Sequence, residues 1–334
     1  MRSVVWGSGP SVRLVCEQLK SPRLSSELVM TSSREEFLAA CDSKSLGFVG
    51  DEHLDALEGA PVTRPTIVVT DQALVDLVPW LGVHPWMNQA ISGAFLEHQR
   101  AGEHLDHVIQ TNLATGRPRL LDWVGTDVGG RRVRLVHASR RAERIERMDE
   151  FFTTKGVGDR TKQHLRDIAE ELLTNAFYDA PAAAGAFSRP VSRAEDVTLP
   201  DDCACDLAYG ARKEFAFVRV KDVFGSLSRR RVVEVLGRCA RRDMKVEVDE
   251  TMGGAGLGLW RIFSIATFVG VSVVKDRYTE IVVAIAKKNV GATRPFAFHM
   301  FFKDSVKRRL WGLLDTETSQ VTVNKSVIID AKSK

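Results

Sequence analysis

The chain has 334 residues, of which 44% are hydrophobic and 27% charged, and its formal net charge at pH 7 is +4. This composition is ordinary for a folded protein of two or three domains, and it excludes a chain that is disordered throughout. The positive charge is small and spread along the sequence. We therefore expect neither nucleic acid nor an anionic membrane surface as a partner.

The cysteines and the N-terminal sequence indicate the cellular compartment in which the protein works. The five cysteines, at positions 16, 41, 203, 205 and 239, are odd in number and show no disulfide framework spacing. The N-terminus lacks the charged and then apolar pattern of a secretory signal, and no apolar run reaches the length of a membrane-spanning helix. We therefore expect a reduced, cytoplasmic protein.

The first 83 residues alternate between strand patterns and helix patterns. We predict strands at residues 3–6, 27–31, 46–49 and 66–70, and helices at residues 10–20, 35–41 and 72–81. Strands that alternate with helices in this way are typical of a doubly wound parallel sheet. The predicted fold class is therefore α/β.

The order and lengths of these elements resemble a response-regulator receiver domain, a flavodoxin-like fold, over residues 1–115. The resemblance implies an acceptor aspartate after the third strand, where Asp51 stands, and it aligns Thr70 with the end of the fourth strand. A working acceptor needs further carboxylates that hold Mg²⁺ beside it. The first strand ends in Trp6-Gly7-Ser8-Gly9 without an acidic pair, so we predict a degenerate receiver used for protein contact.

The middle of the chain contains the best boundary signal. Residues 86–113 predict a connecting helix, and short strands are predicted at residues 119–123 and 132–136. Glycine and proline cluster between them in Thr115-Gly116-Arg117-Pro118. We therefore divide the chain into a receiver-like domain, a central domain and a C-terminal extension, at residues 1–115, 116–290 and 291–334. The extension contains two predicted strands, at residues 296–302 and 321–329.

The central domain begins with two predicted helices, at residues 140–153 and 160–178. The second helix carries an apolar stripe that must be buried. Glu171 and Asn175 lie four residues apart beside this stripe, so both side chains project from one helix face. A carboxylate and an amide held in this way can orient a water molecule and a Mg²⁺ ion over a phosphate.

A glycine-rich stretch, Met252-Gly253-Gly254-Ala255-Gly256-Leu257-Gly258-Leu259-Trp260, precedes an apolar, helix-like run. Glycine lets backbone N–H groups approach an anion, and the start of a helix adds partial positive charge. A phosphate therefore fits this turn. A glycine-rich hairpin between two packed elements would have the same pattern, and the stretch alone leaves both interpretations open.

Four motifs together resemble the ATPase superfamily that includes gyrase, Hsp90-type chaperones, histidine kinases and mismatch-repair ATPases. They are Glu171-Leu172-Leu173-Thr174-Asn175-Ala176 with Asp179, Lys221-Asp222-Val223-Phe224-Gly225 after a predicted strand, Gly254-Ala255-Gly256-Leu257-Gly258-Leu259, and Thr279 at the start of a later strand. They occur in the family's order over residues 131–288. The resemblance implies a two-layer α/β sandwich of the Bergerat type.

The resemblance also implies roles for these residues, with ATP and Mg²⁺ as cofactors. Glu171 would be the general base, and Asn175 would coordinate the Mg²⁺ ion, with Asp179 completing the same motif. Asp222 would accept a hydrogen bond from the adenine amino group, with Thr279 supporting it. The remaining nucleotide-contacting positions of the two glycine motifs would be Gly225, Gly254, Gly256, Leu257 and Gly258.

Two features depart from the family pattern. The usual aspartate motif reads Asp-x-Gly-x-Gly, whereas Phe224 and Ser226 stand at the glycine positions here and Gly225 lies between them. A long Ala- and Pro-rich stretch, residues 181–207, separates the first two motifs and is interpreted either as a lid or as a surface loop.

No long helical hairpin and no large domain after residue 290 are predicted in this sequence, so we expect the chain to differ from sensor kinases, chaperones and topoisomerases. The compact arrangement resembles anti-sigma-factor serine kinases and related bacterial regulatory ATPases. It implies a protein partner, such as a sigma factor, an anti-anti-sigma-like protein or another signalling protein, and it admits a homodimer. The alternative function is a non-catalytic, nucleotide-sensing scaffold.

Overall fold

The computed structural model describes residues 2–21, 24, 26–97, 100–113, 118–125, 128–240, 257–287, 294–305, 307–309 and 328–330. The fold is mixed α/β. The chain forms two compact units. The first contains Met1–Gly125, Leu236–Met244 and Asn289–Phe301, and the second contains Thr126–Val235, Lys245–Lys288 and Phe302–Lys334. Residues 115–117 of the predicted boundary cluster lie outside the described residues.

The N-terminal elements are β1 (Arg2–Trp6), α1 (Pro10–Leu19), β2 (Glu27–Thr31), α2 (Arg34–Ala40), β3 (Ser45–Gly50), β4 (Thr66–Thr70), α3 (Leu74–Val83), β5 (Gln89–Ser92), α4 (Gly93–Leu96), α5 (Ala101–Leu113) and α6 (Leu120–Val124). Strands and helices alternate as the hydrophobic pattern predicts up to α3. Every residue of β3 and β4 is buried, which is typical of parallel strands covered on both faces.

The strands of the first unit are hydrogen-bonded in the order β2-β1-β3-β4-β5. Each of these pairs is parallel. In the pairing of β1 with β3, Arg2 lies opposite Ser45 and Trp6 opposite Val49. The carboxyl ends of β1, β3 and β4 therefore lie side by side at one edge of the sheet.

The single helix predicted at residues 86–113 is wrong. Residues Gln89–Ser92 form β5, a fully buried strand, and two separate helices, α4 and α5, follow it. Strand β5 pairs with β4 on one side and with β11 (Ala297–Lys303), from the C-terminal part of the chain, on the other. A four-residue buried strand has no distinctive periodicity, and its second pairing partner lies far away in sequence.

The strand predicted at residues 119–123 is also wrong, because Leu120–Val124 form the short helix α6. The carboxylate of Asp122 accepts hydrogen bonds from the backbone N–H of Arg119 at 2.7 Å and from the Arg119 guanidinium at 3.1 Å. The backbone N–H of Asp122 in turn donates to the carbonyl oxygen of Arg119 at 3.0 Å. This capping closes the first turn of the helix, and it outweighs the weak strand pattern of the apolar residues.

The elements that follow are β6 (Gly129–Leu135), α7 (Arg141–Thr154), α8 (Asp159–Thr174), a π-helical turn (Asn175–Asp179), α9 (Ala180–Ala183), β7 (Cys205–Ala211), β8 (Phe215–Asp222), α10 (Arg229–Ala240), α11 (Leu257–Ile265), β9 (Phe268–Val274) and β10 (Tyr278–Ala286). The strands of the second unit are ordered β9-β10-β8-β7-β6, and their pairs are antiparallel. Helix α8 packs against β8 and β10, and α7 and α11 pack against α8.

The C-terminal extension is only partly described. Its first predicted strand forms as β11, whereas residues 321–327 of its second predicted strand lie outside the described residues. Two short strands, β12 (Lys307–Arg309) and β13 (Ile328–Asp330), pair antiparallel. Within the described ranges, no helix combines the length and the apolar character needed to cross a membrane.

Candidate functional site

Asp222 is the last residue of β8, and its side chain folds over the following turn. Its Oδ1 atom accepts hydrogen bonds from the backbone N–H groups of Phe224 and Gly225, at 2.8 and 3.3 Å. Burial raises the pKa of Asp222 to about 6, and these hydrogen bonds oppose the shift. A carboxylate held in this way can accept one more hydrogen bond from a donor that reaches it.

Gly225 is required by the geometry of the same turn. Its φ is +62°, in the left-handed region that favours glycine, and an added Cβ would lie 2.2 Å from the carbonyl oxygen of Val274. The backbone of this turn therefore packs directly against the hairpin that joins β9 and β10, without room for a side chain at position 225. Phe224, which stands where the family pattern has glycine, is fully buried.

Thr279 lies directly opposite Asp222 in the pairing of β10 with β8. Its hydroxyl is buried beside the Asp222 carboxylate, and hydrogen bonding from the backbone N–H and the hydroxyl of Thr279 lowers the pKa of Asp222. A hydroxyl that donates to one acceptor can still accept a hydrogen bond from another group. Asp222 and Thr279 together therefore offer acceptor positions that fit a polar ligand.

The face of α8 that carries Glu171 continues into the π-helical turn. Glu171, Asn175 and Asp179 are spaced four residues apart, and all three are partly exposed, while Leu172 and Leu173 are buried. We call these three residues the polar face. Single π-helical turns within helices occur frequently at functional sites, and this one places Asp179 beyond the regular end of α8.

Glu171 has an environment suited to accepting a proton. Burial raises the pKa of its carboxyl group, the charge of Arg193 lowers it, and the charge of Asp179 raises it again. A hydrogen bond with the side chain of Asn175 also stabilises the ionised form. The net direction is upward, towards the range in which a carboxylate works as a general base.

Gly258, in the first turn of α11, lies in close contact with the carboxyl group of Glu171. An added Cβ at position 258 would lie 1.9 Å from Cδ and 2.1 Å from Oε1 of Glu171. Real Cβ atoms do not approach other atoms so closely, so only glycine allows this contact. Further along the helix, Arg261 forms an ion pair with Asp167 of α8, a second contact between the two helices.

Asp179 at the end of the polar face pairs with an arginine from the long connection after α9. The guanidinium of Arg193 donates to Oδ2 of Asp179 at 2.7 Å, and both side chains are 36% exposed. Burial raises the pKa of Asp179, and Arg193 lowers it through charge and through this hydrogen bond. We call residues 189–199, which contain Arg193, the strap.

Hydrogen bonds tie the C-terminal half of the strap to the second unit. The Tyr178 hydroxyl donates to the backbone oxygen of Glu195 at 2.6 Å, and the Glu195 carboxylate pairs with Arg189 at the same distance. The carboxylate of Asp196 accepts from the backbone N–H of Ser139 at 2.9 Å. Part of the long stretch predicted as a lid or a surface loop, residues 195–199, thus lies against the second unit.

The motifs predicted from the sequence therefore lie on elements that contact one another. The π-helical turn and α8 pack against β8, which carries Asp222, and α11 packs against α8. Gly254 and Gly256 of the glycine-rich stretch lie outside the described residues, and Leu257 is the first residue of α11.

The first unit places Asp51 directly after β3, as the receiver resemblance implies. The hydroxyl of Thr70 donates a hydrogen bond to the Asp51 carboxylate. Burial raises the pKa of Asp51, and the hydrogen bond from Thr70 partly offsets this effect. The two residues that the sequence singled out at the ends of the third and fourth strands are therefore direct partners.

Two further carboxylates at this edge were not singled out from the sequence. Glu52 Oε1 accepts from the backbone N–H groups of Ser8 and Gly9, at 2.8 and 3.2 Å. Asp71 accepts from the backbone N–H and from the hydroxyl of Ser11 in α1. Asp71 follows the fourth predicted strand immediately, and Glu52 lies three residues after the third, which is an available signal. No group of three or more His, Cys, Asp or Glu that could hold a metal ion occurs where the structure describes the chain.

Arg193 was likewise not identified from the sequence. It lies in a segment without periodicity, and nothing local connects it with Asp179, its partner in the fold. The contact between Gly258 and Glu171 is also invisible in the sequence, although each residue had been selected separately.

No model of a known protein family matches the sequence, and no curated protein matches it as a relative.

Proposed function

We propose that the second unit binds ATP with Mg²⁺ and that the protein is a regulatory ATPase or protein serine kinase of the anti-sigma type. The observation that carries this proposal is the contact between Gly258 and the carboxyl group of Glu171. It joins the glycine motif expected at the phosphates to the helix motif expected to hold the base and the metal ion. The contact supports a single site because it brings together two motifs that the resemblance assigns to the same phosphates.

The adenine end of the proposed site is formed by Asp222 and Thr279. A buried carboxylate that accepts the adenine amino group provides specificity for adenine over guanine, because guanine presents an oxygen at the corresponding position. The buried hydroxyl of Thr279 beside Asp222 supports a polar ligand at this place. Gly225 keeps the turn after β8 packed on the neighbouring hairpin, which positions Asp222.

The phosphate end is formed by the polar face and the start of α11. Asn175 would hold the Mg²⁺ ion, which neutralises phosphate charge when it is bound. Glu171, with its raised pKa, would take the proton from an attacking serine hydroxyl or water. Its carboxyl group is positioned by the backbone of Gly258 and by the hydrogen bond with Asn175.

The architecture is consistent with this assignment. Five antiparallel strands with α7, α8 and α11 as packed helices suit a two-layer sandwich of the Bergerat type. In the first unit, the parallel order β2-β1-β3-β4-β5 is that of flavodoxin-like folds, which supports the proposed receiver-like domain. We assign this unit to docking of a signalling partner such as a sigma factor or an anti-anti-sigma-like protein.

A non-catalytic, nucleotide-sensing scaffold is the second candidate. Phe224 favours this candidate, because its buried ring occupies a position where the family pattern has glycine. The two candidates share the nucleotide site and differ only in whether Glu171 takes part in chemistry.

The test compares ATP binding and turnover in the wild type and in Glu171→Gln, which keeps the shape of the side chain. If the protein is an enzyme, Glu171→Gln should bind ATP as the wild type does and turn over about 10²- to 10⁴-fold more slowly. The scaffold predicts ATP binding without turnover in either protein. Failure of purified wild type to bind labelled ATP in the presence of Mg²⁺ would refute both candidates.

A further inference from the structure

We infer that Arg193 of the strap binds the terminal phosphate of the nucleotide and makes the site prefer ATP to ADP. This inference rests on the proposed function, because it requires a nucleotide whose phosphates lie along the polar face. It adds a residue outside the four sequence motifs, supplied by the long connection between α9 and β7.

The position of Arg193 is the first reason. Its guanidinium donates to Asp179 at 2.7 Å, and its charge is the second-largest influence on the pKa of Glu171. Arg193 is therefore close both to the proposed base and to the end of the polar face. In the proposed site the reacting phosphate and the attacking group meet beside that base, Glu171.

The second reason is that the strap presents Arg193 from a fixed backbone. Besides the contacts of Glu195 and Asp196, the backbone N–H of Ala138 donates to Val197 at 2.8 Å, and that of Leu199 donates to Val136 at 2.7 Å. A side chain held on an ordered backbone loses less freedom when a ligand binds.

The chemistry of the side chain is the third reason. A guanidinium presents a planar set of N–H donors that matches phosphate oxygens, and it stays charged at any working pH. Arg193 is 36% exposed, so a ligand can reach it. The charge of Arg231 from α10 also acts on Asp179, so positive charge approaches the end of the polar face from two elements.

A purely structural role explains Arg193 less well. An ion pair as exposed as that of Arg193 with Asp179 contributes little to stability. Hydrogen bonds with Tyr178, Ser139 and Val136 already hold the strap on the C-terminal side of Arg193. These bonds need no cation at position 193, whereas a polyphosphate site is stabilised by one.

The experiment measures the dissociation constants of Mg-ATP and Mg-ADP for the wild type, Arg193→Ala and Arg189→Ala. Arg189 is the matched control, because it is an arginine of the same strap and its guanidinium pairs with Glu195. We expect Arg193→Ala to weaken ATP binding by about 10- to 100-fold and to change ADP binding by less than about 3-fold. Arg189→Ala should keep the wild-type ratio. An equal loss of ATP affinity in Arg193→Ala and Arg189→Ala would overturn the inference.

A second pair of variants separates phosphate binding from neutralisation of Asp179. In an Asp179→Asn background, Arg193→Ala should still cause the selective loss of ATP affinity. If the loss disappears in that background, Arg193 acts only through Asp179 and the inference is refuted. If the wild type binds ATP and Arg193→Ala keeps the wild-type ratio of the Mg-ADP and Mg-ATP dissociation constants, this inference alone is overturned. No ATP binding by the wild type would refute the proposed function and this inference with it.

Discussion

The contact between Gly258 and Glu171 predicts an unusual response to alanine. In a helix, replacing glycine by alanine ordinarily stabilises the fold, by up to about 1 kcal/mol. At position 258 the added Cβ would stand 1.9 Å from Cδ, 2.1 Å from Oε1 and 2.3 Å from Cγ of Glu171. Either the carboxyl group must rotate away or α11 must shift. Because Glu171 is a flexible side chain, we expect the rotation.

The expected magnitude follows from two opposing effects. Forcing a methyl group into occupied space costs about 1–3 kcal/mol. The gain in helix propensity offsets up to about 1 kcal/mol of this cost. We therefore expect Gly258→Ala to be destabilised by about 0–2 kcal/mol and to remain folded at room temperature. Its turnover should fall as in Glu171→Gln, because the carboxyl group has left its position.

Gly237 in α10 supplies the matched control, because an added Cβ there meets no atom of the described structure within 4 Å. Gly237→Ala should be stabilised by up to about 1 kcal/mol. The assay is urea unfolding followed by circular dichroism, and the measured quantity is the difference between the two variants, about 1–3 kcal/mol.

The reasoning is refuted if the clash is not with Glu171. The Glu171→Ala variant lacks the obstructing atoms. In that background, Gly258→Ala should change the free energy of unfolding as Gly237→Ala does. An unchanged cost in that background, or wild-type turnover in Gly258→Ala, would show that the close contact has been misassigned.

Two further predictions concern stability. Gly225→Ala should lower the free energy of unfolding by about 2–4 kcal/mol, because a positive φ and a contact of 2.2 Å with the Val274 carbonyl oxygen both oppose a side chain; a loss below that of Gly258→Ala in the same urea assay would contradict it. His299 is fully buried, and burial, followed by the charge of His104, holds its pKa well below the ordinary value. The unfolded chain takes up the proton near pH 6.5 and the folded chain does not, so stability is lost as the pH falls below that value. Between pH 7 and pH 5 the wild type should lose about 2 kcal/mol more than His299→Gln, and equal losses would disprove a neutral buried histidine.

The sequence by itself determined the local pattern of the chain. The strands and helices up to residue 83 could be predicted because their apolar periodicity is strong and their partners are close in sequence. The alignment of Glu171 with Asn175 followed from helix geometry alone. Asp222 was placed correctly at the end of a strand. Each of these statements depends on a window of a few residues.

Only the tertiary structure decided which distant residues meet. Strand β5 is a strand because β4 and β11 both pair with it, and β11 comes from the other end of the chain. The contact of Gly258 with Glu171 and the ion pair of Arg193 with Asp179 likewise join segments with no local relation. Such contacts depend on the packing of whole helices and on the path of a long connection, and short-range preferences carry no information about either. The physical reason is that secondary structure follows from neighbouring residues, whereas a site is assembled by burial across the fold.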